Sequence, residues 1–513
     1  MDLIDKIYKR IGIKRHSIRE LLEMCPPESP VWDVYKKGCT LGINQCEQPG
    51  TRQRVMKYAP RNISELCAFV AAIRPGFKSM YKIFERRKPF SYEIESLDNL
   101  IQTDEMPNSF ILYQEIGMAV LNYAGIPMSE CYEIIKNIAK KRVEKVLKYR
   151  EQFMHGFAQV LVEKEGQQED FAKETADKVW RILEDSSRYL FNASHSYSVA
   201  LDSLYGAYLK TTYPLEFYET FLRVLEAKGD KERMAEAKEE AESYFGIKFP
   251  PYKFGQDNRA AVANHASNEI TNTIKAIKGY GDSVGEALYA CGKEFKDKPD
   301  STFIDVLTWL DSNGIKESKY APLIRIGYFD CYGNIPTLLE IASMFELFNH
   351  GESKSFRKDK ENPYAFLMPD YATDKNAQGK ELKTWTIQDC FGLIRACEQH
   401  IYNKHIPDIS YKDKASYQLD ILGYVALTTG KKEDRRKLYV TDLVPLKSKN
   451  SPTPWAHALF GRSVGTGKLS RWTVRERLYR LLPVKKGQII YADSVHEDKK
   501  SGYWYLDSYN ILE

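Results

Sequence analysis

The segment FNASHSYSVALDSLYGAYLKTTYPLEFYETFL, residues 191–222, decides how the first half of the chain folds. After its polar start, apolar residues recur at three- and four-residue spacing, namely Leu201, Leu204, Tyr205, Tyr208 and Leu209. The same spacing precedes the segment between residues 179 and 190, and Pro214 interrupts it afterwards. This pattern predicts a helix, a turn at FNASHS, a second helix, a break and a third helix. Nothing near the histidine of this turn in the sequence supplies the paired base and orienting acid that a nucleophilic serine requires. No nucleophilic hydrolase site is therefore predicted.

The length and composition of the whole chain restrict the class of protein to which it can belong. With 513 residues it is too long for one ordinary core, and we expect about three domains. No run approaches the roughly 18 apolar residues of a membrane-spanning helix. The N-terminal residues mix acids and bases and lack the apolar centre of a signal peptide. We therefore expect a cytoplasmic protein without a membrane partner.

Cysteine spacing and charge distribution restrict the kinds of site further. The nine cysteines are scattered singly, so we expect reduced thiols and neither zinc ligands nor a disulfide framework. Residues 411–513 hold 12 Lys and 7 Arg against 11 Asp and Glu, a net charge of +8, whereas the whole chain carries +5. This basic segment indicates a polyanionic partner, although basic faces also occur on domains that bind nothing.

Residue patterns divide the chain into four predicted segments. Residues 1–225 have helical periodicity throughout. Residues 226–345 contain IKAIKGYGDSVGEALYACG (274–292), two short helical patterns joined by a glycine hairpin. Residues 346–410 shift to Asn, Gly, Ser, Lys, Asp and Pro, which predicts a linker followed by one bridging helix. Residues 411–513 carry strand patterns.

Five aromatic and β-branched runs in the last segment predict a small barrel. They are YQLDILGYVALTTG (417–430), RKLYVTDLVPLK (436–447), PWAHALFGRSV (454–464), GQIIYADSVH (487–496) and GYWYLDSYNIL (502–512). A helical pattern, RERLYRLL (475–482), stands between the third and fourth. This order is typical of an OB-fold, which commonly binds oligonucleotides. The predicted fold class is thus a multidomain α+β protein, mainly α-helical and ending in a C-terminal β-barrel OB-fold.

Two apparent nucleotide-chemistry motifs fail on inspection. GRSVGTGKLS (461–470) differs from a phosphate-binding loop in its glycine spacing, and Leu469 stands where Ser or Thr must bind magnesium, so we interpret it as a basic connection between strands. Asp370 and Asp408 each follow a proline but lack the second acid that a magnesium-dependent nucleotidyl transfer needs. Both are predicted to be ordinary turn residues.

Six blocks, in order, resemble a known family. They are LGINQCEQPGTRQ (41–53), AFVAAIRPGF (68–77), FILYQEIGMAVLNYAGI (110–126), KNIAKKRVEKVLKYREQFMHGF (136–157), YLFNASHSYSVALDSLYGAYLKTTYPLEFY (189–218) and IKAIKGYGDSVGEAL (274–288). Together they resemble the fingers and following region of the alpha subunit of bacterial replicative DNA polymerase III, the C-family polymerase. The resemblance implies polymerase fingers in residues 1–225, a helix-hairpin-helix DNA-binding region in 226–345 and an OB-fold in 411–513.

The resemblance also implies that parts of the enzyme lie on another chain. In that family a metal-binding PHP domain, a palm with three catalytic aspartates and a thumb precede the fingers, and this sequence starts beyond where the last aspartate would lie. We expect no catalytic residue, metal or cofactor on this chain, with Mg²⁺ held by a separate chain that carries palm, thumb and PHP domains. A split gene of a bacterium or phage would give this arrangement. The alternative is a non-catalytic DNA-binding accessory protein.

Primed DNA template and dNTPs are the implied partners of the fingers. Arginine and lysine side chains bind phosphate groups, and a Pro-Gly turn holds Arg74. By resemblance, the residues toward the nucleotide and primer-template are Arg74, Lys140, Lys141, Arg142, Asn192, Ser194 and His195. The alternative for AKKR (139–142) is a helix C-terminus favoured by the macrodipole. Ala193, Asn44 and Ala139 depart from the family pattern, which has a lysine, an aromatic residue and a glycine there, and we expect a weakened phosphate grip.

DNA contacts are also predicted in the remaining segments. Amide groups of a glycine hairpin can hold a backbone phosphate, which indicates Lys275, Lys278, Gly279 and Gly281. In the predicted barrel, Arg435, Arg462, Lys468 and Arg471 could follow a DNA backbone while Tyr439, Trp455, Trp472 and Tyr503 stack on bases, unless core packing claims them. IASMFELF (341–348) has the apolar end of a sliding-clamp peptide but lacks its usual glutamine.

Overall fold

The computed structural model describes residues 2–74, 77–102, 109–140, 142–186, 190–348, 350, 352, 355–448, 451–498 and 503–512. The chain forms two compact units, Met1–Phe221 and Leu222–Glu513. The predicted first segment, 1–225, ends close to this division.

The first unit is built from helices. They are α1 Asp2–Ile11, α2 Ile18–Met24, α3 Asp33–Lys37, α4 Pro49–Tyr58, α5 Ile63–Ala72, α6 Lys78–Glu85, α7 Glu95–Ile101, α8 Gln114–Tyr123, α9 Met128–Ala139, α10 Val143–Glu165, α11 Glu169–Ser186 and α12 Ala193–Thr212, and α13 Pro214–Lys228 runs across the division.

Local sequence explains where α12 begins and ends. The Asn192 side-chain oxygen accepts a hydrogen bond from the backbone N–H of His195, which caps the first turn. Pro214 is the first residue of α13 and cannot continue the preceding helix because it has no N–H to donate. The predicted helix, turn, helix, break and helix is therefore confirmed.

Two packing arrangements hold the first unit together. Helices α7–α11 enclose a core around Phe153, Phe157 and Trp180, all of which are inaccessible to solvent. Helix α12 is buried along most of its length and packs on α5, where the Ser196 hydroxyl donates to the Cys67 carbonyl at 2.8 Å. The polar turn at residues 192–195 is thus attached to a rigid, buried helix.

The second unit combines helices with three sheets. The helices are α14 Lys231–Phe245, α15 Asp282–Phe295, α16 Phe303–Ser312, α17 Glu317–Arg325, α18 Ile335–Leu347, α19 Met368–Tyr371, α20 Cys390–Asn403, α21 Tyr411–Leu422 and α22 Glu476–Leu481. The strands are β1 Ala263–Asn264, β2 Glu269–Ile270, β3 Ser355–Arg357, β4 Ala372–Lys375, β5 Glu381–Ile387, β6 Lys437–Lys447, β7 Pro454–Ser463, β8 Leu469–Arg475, β9 Ile489–Asp498 and β10 Tyr503–Ile511.

The segment 346–410 differs from the predicted linker. Strands β3, β5 and β4 form a small antiparallel sheet in it. Phe348, Tyr364, Met368 and Ile387 join the same apolar core as helices α15–α18. The polar composition reflects the exposed faces of these short strands, and the sparse apolar side chains suffice to attach the segment to that core. The bridging helix predicted in this region is α20.

The C-terminal barrel is closed in the order β10-β8-β7-β6-β9. Its neighbours pair antiparallel, except that β8 and β10 run parallel. Helix α22 lies between the third and fourth strands, as predicted, and the side chains that fill the interior include Leu438, Val440, Leu459 and Ile490. The α+β class with an OB-fold-like barrel is therefore confirmed.

The barrel has five strands, as expected, but the sequence placed two parts of it wrongly. The run 417–430, predicted as the first strand, begins inside helix α21, which Ser410 caps and Gly423 ends in a left-handed conformation with φ 79°. Residues 469–475 form β8, although the predicted basic loop extended to residue 470 and no strand was predicted for the residues after it. The aromatic and aliphatic residues of α21 follow both periods, so pattern alone favoured the strand.

Candidate nucleic-acid interface

An arginine, a phenylalanine and a histidine form the centre of the candidate site in the first unit. The guanidinium carbon of Arg74 lies 3.3 Å from the ring centroid of Phe191. The His195 ring meets the same phenyl ring edge-on, with the centroids 5.1 Å apart. Arg74 and His195 are both exposed. Partial burial lowers the pKa of Arg74, but a guanidinium stays charged at neutral pH. The site therefore offers one fixed positive charge beside a histidine.

Backbone hydrogen bonds hold Phe191 in place. Its N–H donates to the Leu112 carbonyl at 3.0 Å, and its carbonyl accepts from the Gln114 N–H at 2.9 Å. These bonds join the turn before α12 to the start of α8. The ring under Arg74 is consequently part of the scaffold and does not depend on an exposed loop.

The Glu115 carboxylate occupies the N-terminal end of α12. It accepts from the Asn192 side-chain amide at 2.9 Å and from the Ala193 N–H at 3.0 Å. The Asn192 oxygen accepts from the Ser194 hydroxyl at 3.0 Å and from the His195 N–H. Asn192 is thus a helix cap, and a carboxylate already complements the helix dipole where a phosphate was expected. This turn offers fewer free donors than the sequence predicted.

The basic run after α9 forms a separate feature. Lys140 is the C-cap of α9, which agrees with the helix-terminus alternative for this run. The Arg142 N–H donates to the Asn137 carbonyl at 3.1 Å. Both side chains are exposed, and neither contacts Arg74 or His195 within the described ranges. Lys141 lies outside the described residues.

A turn that sequence reasoning missed lies beside α12. The Asn44 side-chain amide donates to Asp202 of α12 at 3.0 Å. Gln45 is exposed and has a left-handed backbone with φ 61°. A polar pair after Gly42 in LGINQ was the available signal, but only the fold shows that the turn adjoins α12.

The glycine hairpin of the second unit is shorter than predicted. Residues 274–276 form one 3₁₀ turn rather than a helix, and Gly279, with φ 84°, makes the turn before α15. Gly281 is the N-cap of α15. The Gly279 carbonyl accepts from Lys319 Nζ at 2.7 Å. The second helix and the tight turn of the predicted motif are present, and the first helix is reduced to a single turn.

The two lysines of this hairpin differ in whether their charge is available to bind a phosphate. Lys275 Nζ lies 2.8 Å from Asp282 and 2.9 Å from Glu226, and these two acids raise its pKa. Its charge is therefore balanced inside the fold. Lys278 is exposed beside Gly279 and is the better candidate for a phosphate contact.

A basic groove of about 670 Å³ crosses the outside of the barrel. Cationic and indole side chains dominate its lining, namely Arg435, Arg436, Lys468, Arg471, Trp472 and Trp504. The four cations are exposed, and Trp504 is 46% exposed. Trp504 and Arg436 were not among the predicted residues. Trp472 is half-buried against the barrel core, so Trp504 is the indole with the more accessible ring. Cations beside an accessible indole ring are the combination that binds single-stranded nucleic acid.

Three predicted barrel residues do not lie in this groove. Arg462 is buried, and its Nη2 donates to both carboxylate oxygens of Glu242 at 2.8 and 3.0 Å. Tyr439 is also buried, with its hydroxyl 2.9 Å from that of Ser416. Trp455 is exposed but does not line the groove. Arg462 is paired with α14 and Tyr439 packs against α21, so neither side chain is available to DNA, and core packing claims Tyr439 as the alternative had it. The side chain of Tyr503 lies outside the described residues.

The predicted clamp peptide is not an exposed segment. Ile341, Met344, Phe345 and Phe348 are buried in the core of the second unit, the first three of them within α18. A linear peptide that binds another protein through these side chains would have to leave the fold.

Comparison with known proteins shows which proteins this chain is similar to in sequence. Residues 1–160 match the model of the bacterial DNA polymerase III alpha subunit finger domain. The DNA polymerase III subunit alpha of Ureaplasma parvum is 25% identical over 68% of this chain and 34% of its own length. The corresponding subunit of Thermus aquaticus is 25% identical over 61% of this chain, and that of Campylobacter jejuni 29% over 60%, each across 25% of its own length.

The chain is similar to part of the DNA polymerase III alpha subunit.

This relationship covers part of the polymerase subunit only. The chain spans between a quarter and a third of the length of these relatives. Arg74 lies inside the residues that match the finger domain, whereas Phe191 and His195 lie beyond them. The contact between Arg74 and Phe191 therefore joins the matched region to α12.

Metal ligation and membrane insertion can be examined on the described residues. Among them, no group of three or more His, Cys, Asp or Glu side chains is placed to hold a metal ion. In the same ranges, no helix has the length and apolar character needed to span a membrane.

Proposed function

We propose that this chain supplies the nucleotide- and template-binding surface of a C-family DNA-directed DNA polymerase that acts in replication. The reaction would be transfer of dNMP to a primer 3′-OH. The carboxylates that hold Mg²⁺ would come from a separate chain with a palm domain. The match of residues 1–160 to the finger domain is the observation that carries the proposal.

Geometry in the first unit supports a nucleotide contact. Arg74 presents a fixed guanidinium, which binds phosphate oxygens through paired N–H groups. His195 is exposed, meets the same phenyl ring edge-on and can donate or accept a hydrogen bond. One cation and one hydrogen-bonding group, both fixed by Phe191, could orient a triphosphate.

Geometry in the second unit supports a template contact. The groove lined by Arg435, Lys468, Arg471 and the indoles of Trp472 and Trp504 could hold a single strand by backbone charge and base stacking. Lys278 beside the hairpin could hold a duplex phosphate. Neither arrangement reads base sequence, as a replicative polymerase requires.

Binding of the full chain to primed DNA with a single-stranded overhang tests the template contact. We expect the affinity to fall steeply with salt, and Arg471→Gln to reduce the slope of log K against log salt by about 0.9, the value for one lost phosphate contact. Arg477→Gln is the matched control because this arginine is an exposed residue of α22 outside the groove. Undetectable or salt-insensitive binding would refute the proposal.

Primer extension tests the enzymatic part. The chain is assayed alone and with a palm-bearing protein encoded next to it. Extension is expected only for the mixture, and Arg74→Ala should raise the KM for dNTP more than it lowers kcat. Extension by the chain alone would contradict the assignment of the metal-binding carboxylates to a partner.

A second function, a non-catalytic DNA-binding accessory role, has one specific observation in its favour. The Glu115 carboxylate fills the N-terminal end of α12, beside Ala193, where the family has a lysine. This arrangement would repel a triphosphate. Tight binding of primed DNA without any extension in the mixture would favour the accessory role.

A further inference from the structure

The turn after α3 contains a strained residue. The Cys46 N–H donates to the Ile43 carbonyl at 3.2 Å, which closes a four-residue turn with Gln45 in its third position. Gln45 has φ 61°, and glycine or asparagine is the usual residue where a turn requires this conformation. A left-handed backbone is unfavourable for a residue with a Cβ atom, and such strain clusters at functional sites.

A buried lysine holds the segment that leads into this turn. Lys210 of α12 is inaccessible to solvent, and its Nζ donates to the carbonyls of Cys39 at 3.0 Å and Leu41 at 2.5 Å. The Thr40 hydroxyl donates to the Cys46 carbonyl at 2.7 Å. The segment before the turn is thus bonded to the buried helix, and the Thr40 hydroxyl ties the last residue of the turn back to that segment.

The Gln45 side chain is exposed and unused by the fold. In the part of the chain that the structure describes, its amide has no hydrogen-bond partner. Two other residues with positive φ behave differently. Arg87 binds the Glu65 carboxylate, and the Asn268 amide donates to the Gly246 carbonyl at 3.0 Å. At those positions the side chain stabilises the fold, whereas the Gln45 side chain makes no hydrogen bond within the described residues.

Gln45 lies along the same helix face as the candidate site. Its neighbour Asn44 bonds to Asp202, which is two helical turns beyond His195 on α12. Residues seven apart on an α-helix share a face and are about 10 Å apart along the axis. The strained amide and the Arg74–Phe191–His195 cluster are therefore both connected to one side of α12.

We propose that Gln45 contacts the minor-groove edge of the primer–template duplex. This inference rests on the proposed function and specifies one of its contacts. A neutral amide adds no charge for phosphate, but it can donate to the adenine N3 and thymine O2 acceptors of the minor groove. Because both orientations of an A·T pair present these acceptors, the contact does not discriminate between them.

Two variants of Gln45 and one control variant, all made in the full chain, test the contact. Fluorescein-labelled primed hairpin DNA is the probe. Gln45→Ala and Gln45→Gly should each raise Kd about fivefold, as expected for one lost hydrogen bond. Because the lost contact is neutral, the salt slope should stay unchanged. Gln45→Gly should also raise the Tm by about 2 °C, because glycine relieves the strain, whereas alanine retains it.

Glu93→Gly is the matched control, since Glu93 is exposed in the same unit and has φ 60°. It should raise the Tm without changing Kd. A DNA probe with 3-deazaadenine in place of adenine, which lacks the N3 acceptor, should weaken wild-type binding and leave Gln45→Ala unaffected. Equal weakening of both proteins would overturn the minor-groove assignment.

The remaining outcomes separate this inference from the proposed function. If wild-type chain binds primed DNA and both Gln45 variants have Kd values within twofold of it, the inference is refuted and the proposed function stands. If wild-type chain does not bind primed DNA, both are refuted. A changed salt slope for Gln45→Ala would refute a neutral contact.

Discussion

Glu65 is expected to be a main electrostatic support of the helices that carry Arg74. Its side chain is 12% exposed and accepts from Arg87 Nη1 at 2.6 Å, Arg87 Nη2 at 2.8 Å and Arg61 Nη2 at 2.7 Å. Arg87 also donates to two carbonyls at the end of α4. The network therefore joins α4 to α5, the helix that leads directly to Arg74.

The expected cost of removing this charge follows from its pKa. Burial raises the pKa of Glu65, but the bonds from Arg87 and Arg61 outweigh it and hold the pKa at about 2, against an ordinary 4.5. At 1.36 kcal/mol per pKa unit, this difference corresponds to about 3 kcal/mol of folding free energy at pH 7. Glu65→Gln should destabilise the first unit by about that amount.

The sign of the pH dependence is fixed by the direction of the pKa change. A depressed carboxyl pKa stabilises the fold above the unfolded value, and the contribution is lost as pH falls toward the folded value. The difference in unfolding free energy between wild type and Glu65→Gln should be complete at pH 7 and should shrink between about pH 4.5 and pH 2.

Denaturant titration followed by tryptophan fluorescence measures this difference. Trp32 and Trp180 report on the first unit, and the transition reported by the other five tryptophans, all in the second unit, should not move. Glu23→Gln is the matched control, since Glu23 is 61% exposed in an i,i+4 pair with Arg19, and it should change stability by less than about 0.5 kcal/mol. A loss below about 1 kcal/mol for Glu65→Gln, or one that persists unchanged at pH 3, would refute the reasoning.

Two further predictions concern pH and packing. His350 donates toward Asp311 at 2.9 Å and Glu346 at 2.7 Å; burial lowers its pKa, but these acids raise it above 6.5 overall. A raised histidine pKa stabilises the fold below pH 6.5 and ceases to do so as pH rises through the folded value, so His350→Gln should lower the Tm more at pH 6 than at pH 9. An equal fall at both values would contradict this. A Cβ atom at Gly156 would lie 1.9 Å from a backbone carbonyl oxygen, so Gly156→Ala should cost at least about 2 kcal/mol in denaturant titration. Gly50→Ala, where a Cβ atom meets open space, should change stability by less than about 1 kcal/mol, and similar effects of the two variants would contradict the packing argument.

Much of the architecture could be predicted from sequence because it depends on local pattern. The apolar spacing around residues 191–222 identified α12 and its flanking breaks, and the basic C-terminal segment was correctly predicted to hold a barrel. The exceptions were residues whose pattern fits two periods. Helix α21 has aromatic and aliphatic residues typical of a strand, and β8 lies next to two glycines that resemble a loop.

The candidate site could be predicted only in part, because residue type does not reveal partners. Arg74 and His195 were both assigned to the nucleotide site, and both contact Phe191, which was not singled out. Arg435, Lys468, Arg471 and Trp472 share a groove as the sequence suggested, while Trp504 completes it from a strand at the other end of the barrel segment.

The order of amino acids determined the helical periods, the caps and the breaks, since these depend on neighbours a few positions apart. Which charges remain available was decided by the tertiary structure. Glu115 meets Asn192 across 77 positions, and Glu242 meets Arg462 across 220. The first contact is a hydrogen bond and the second an ion pair. Both require the chain to fold back on itself, because a bond that occupies a charged group acts only over a few ångströms.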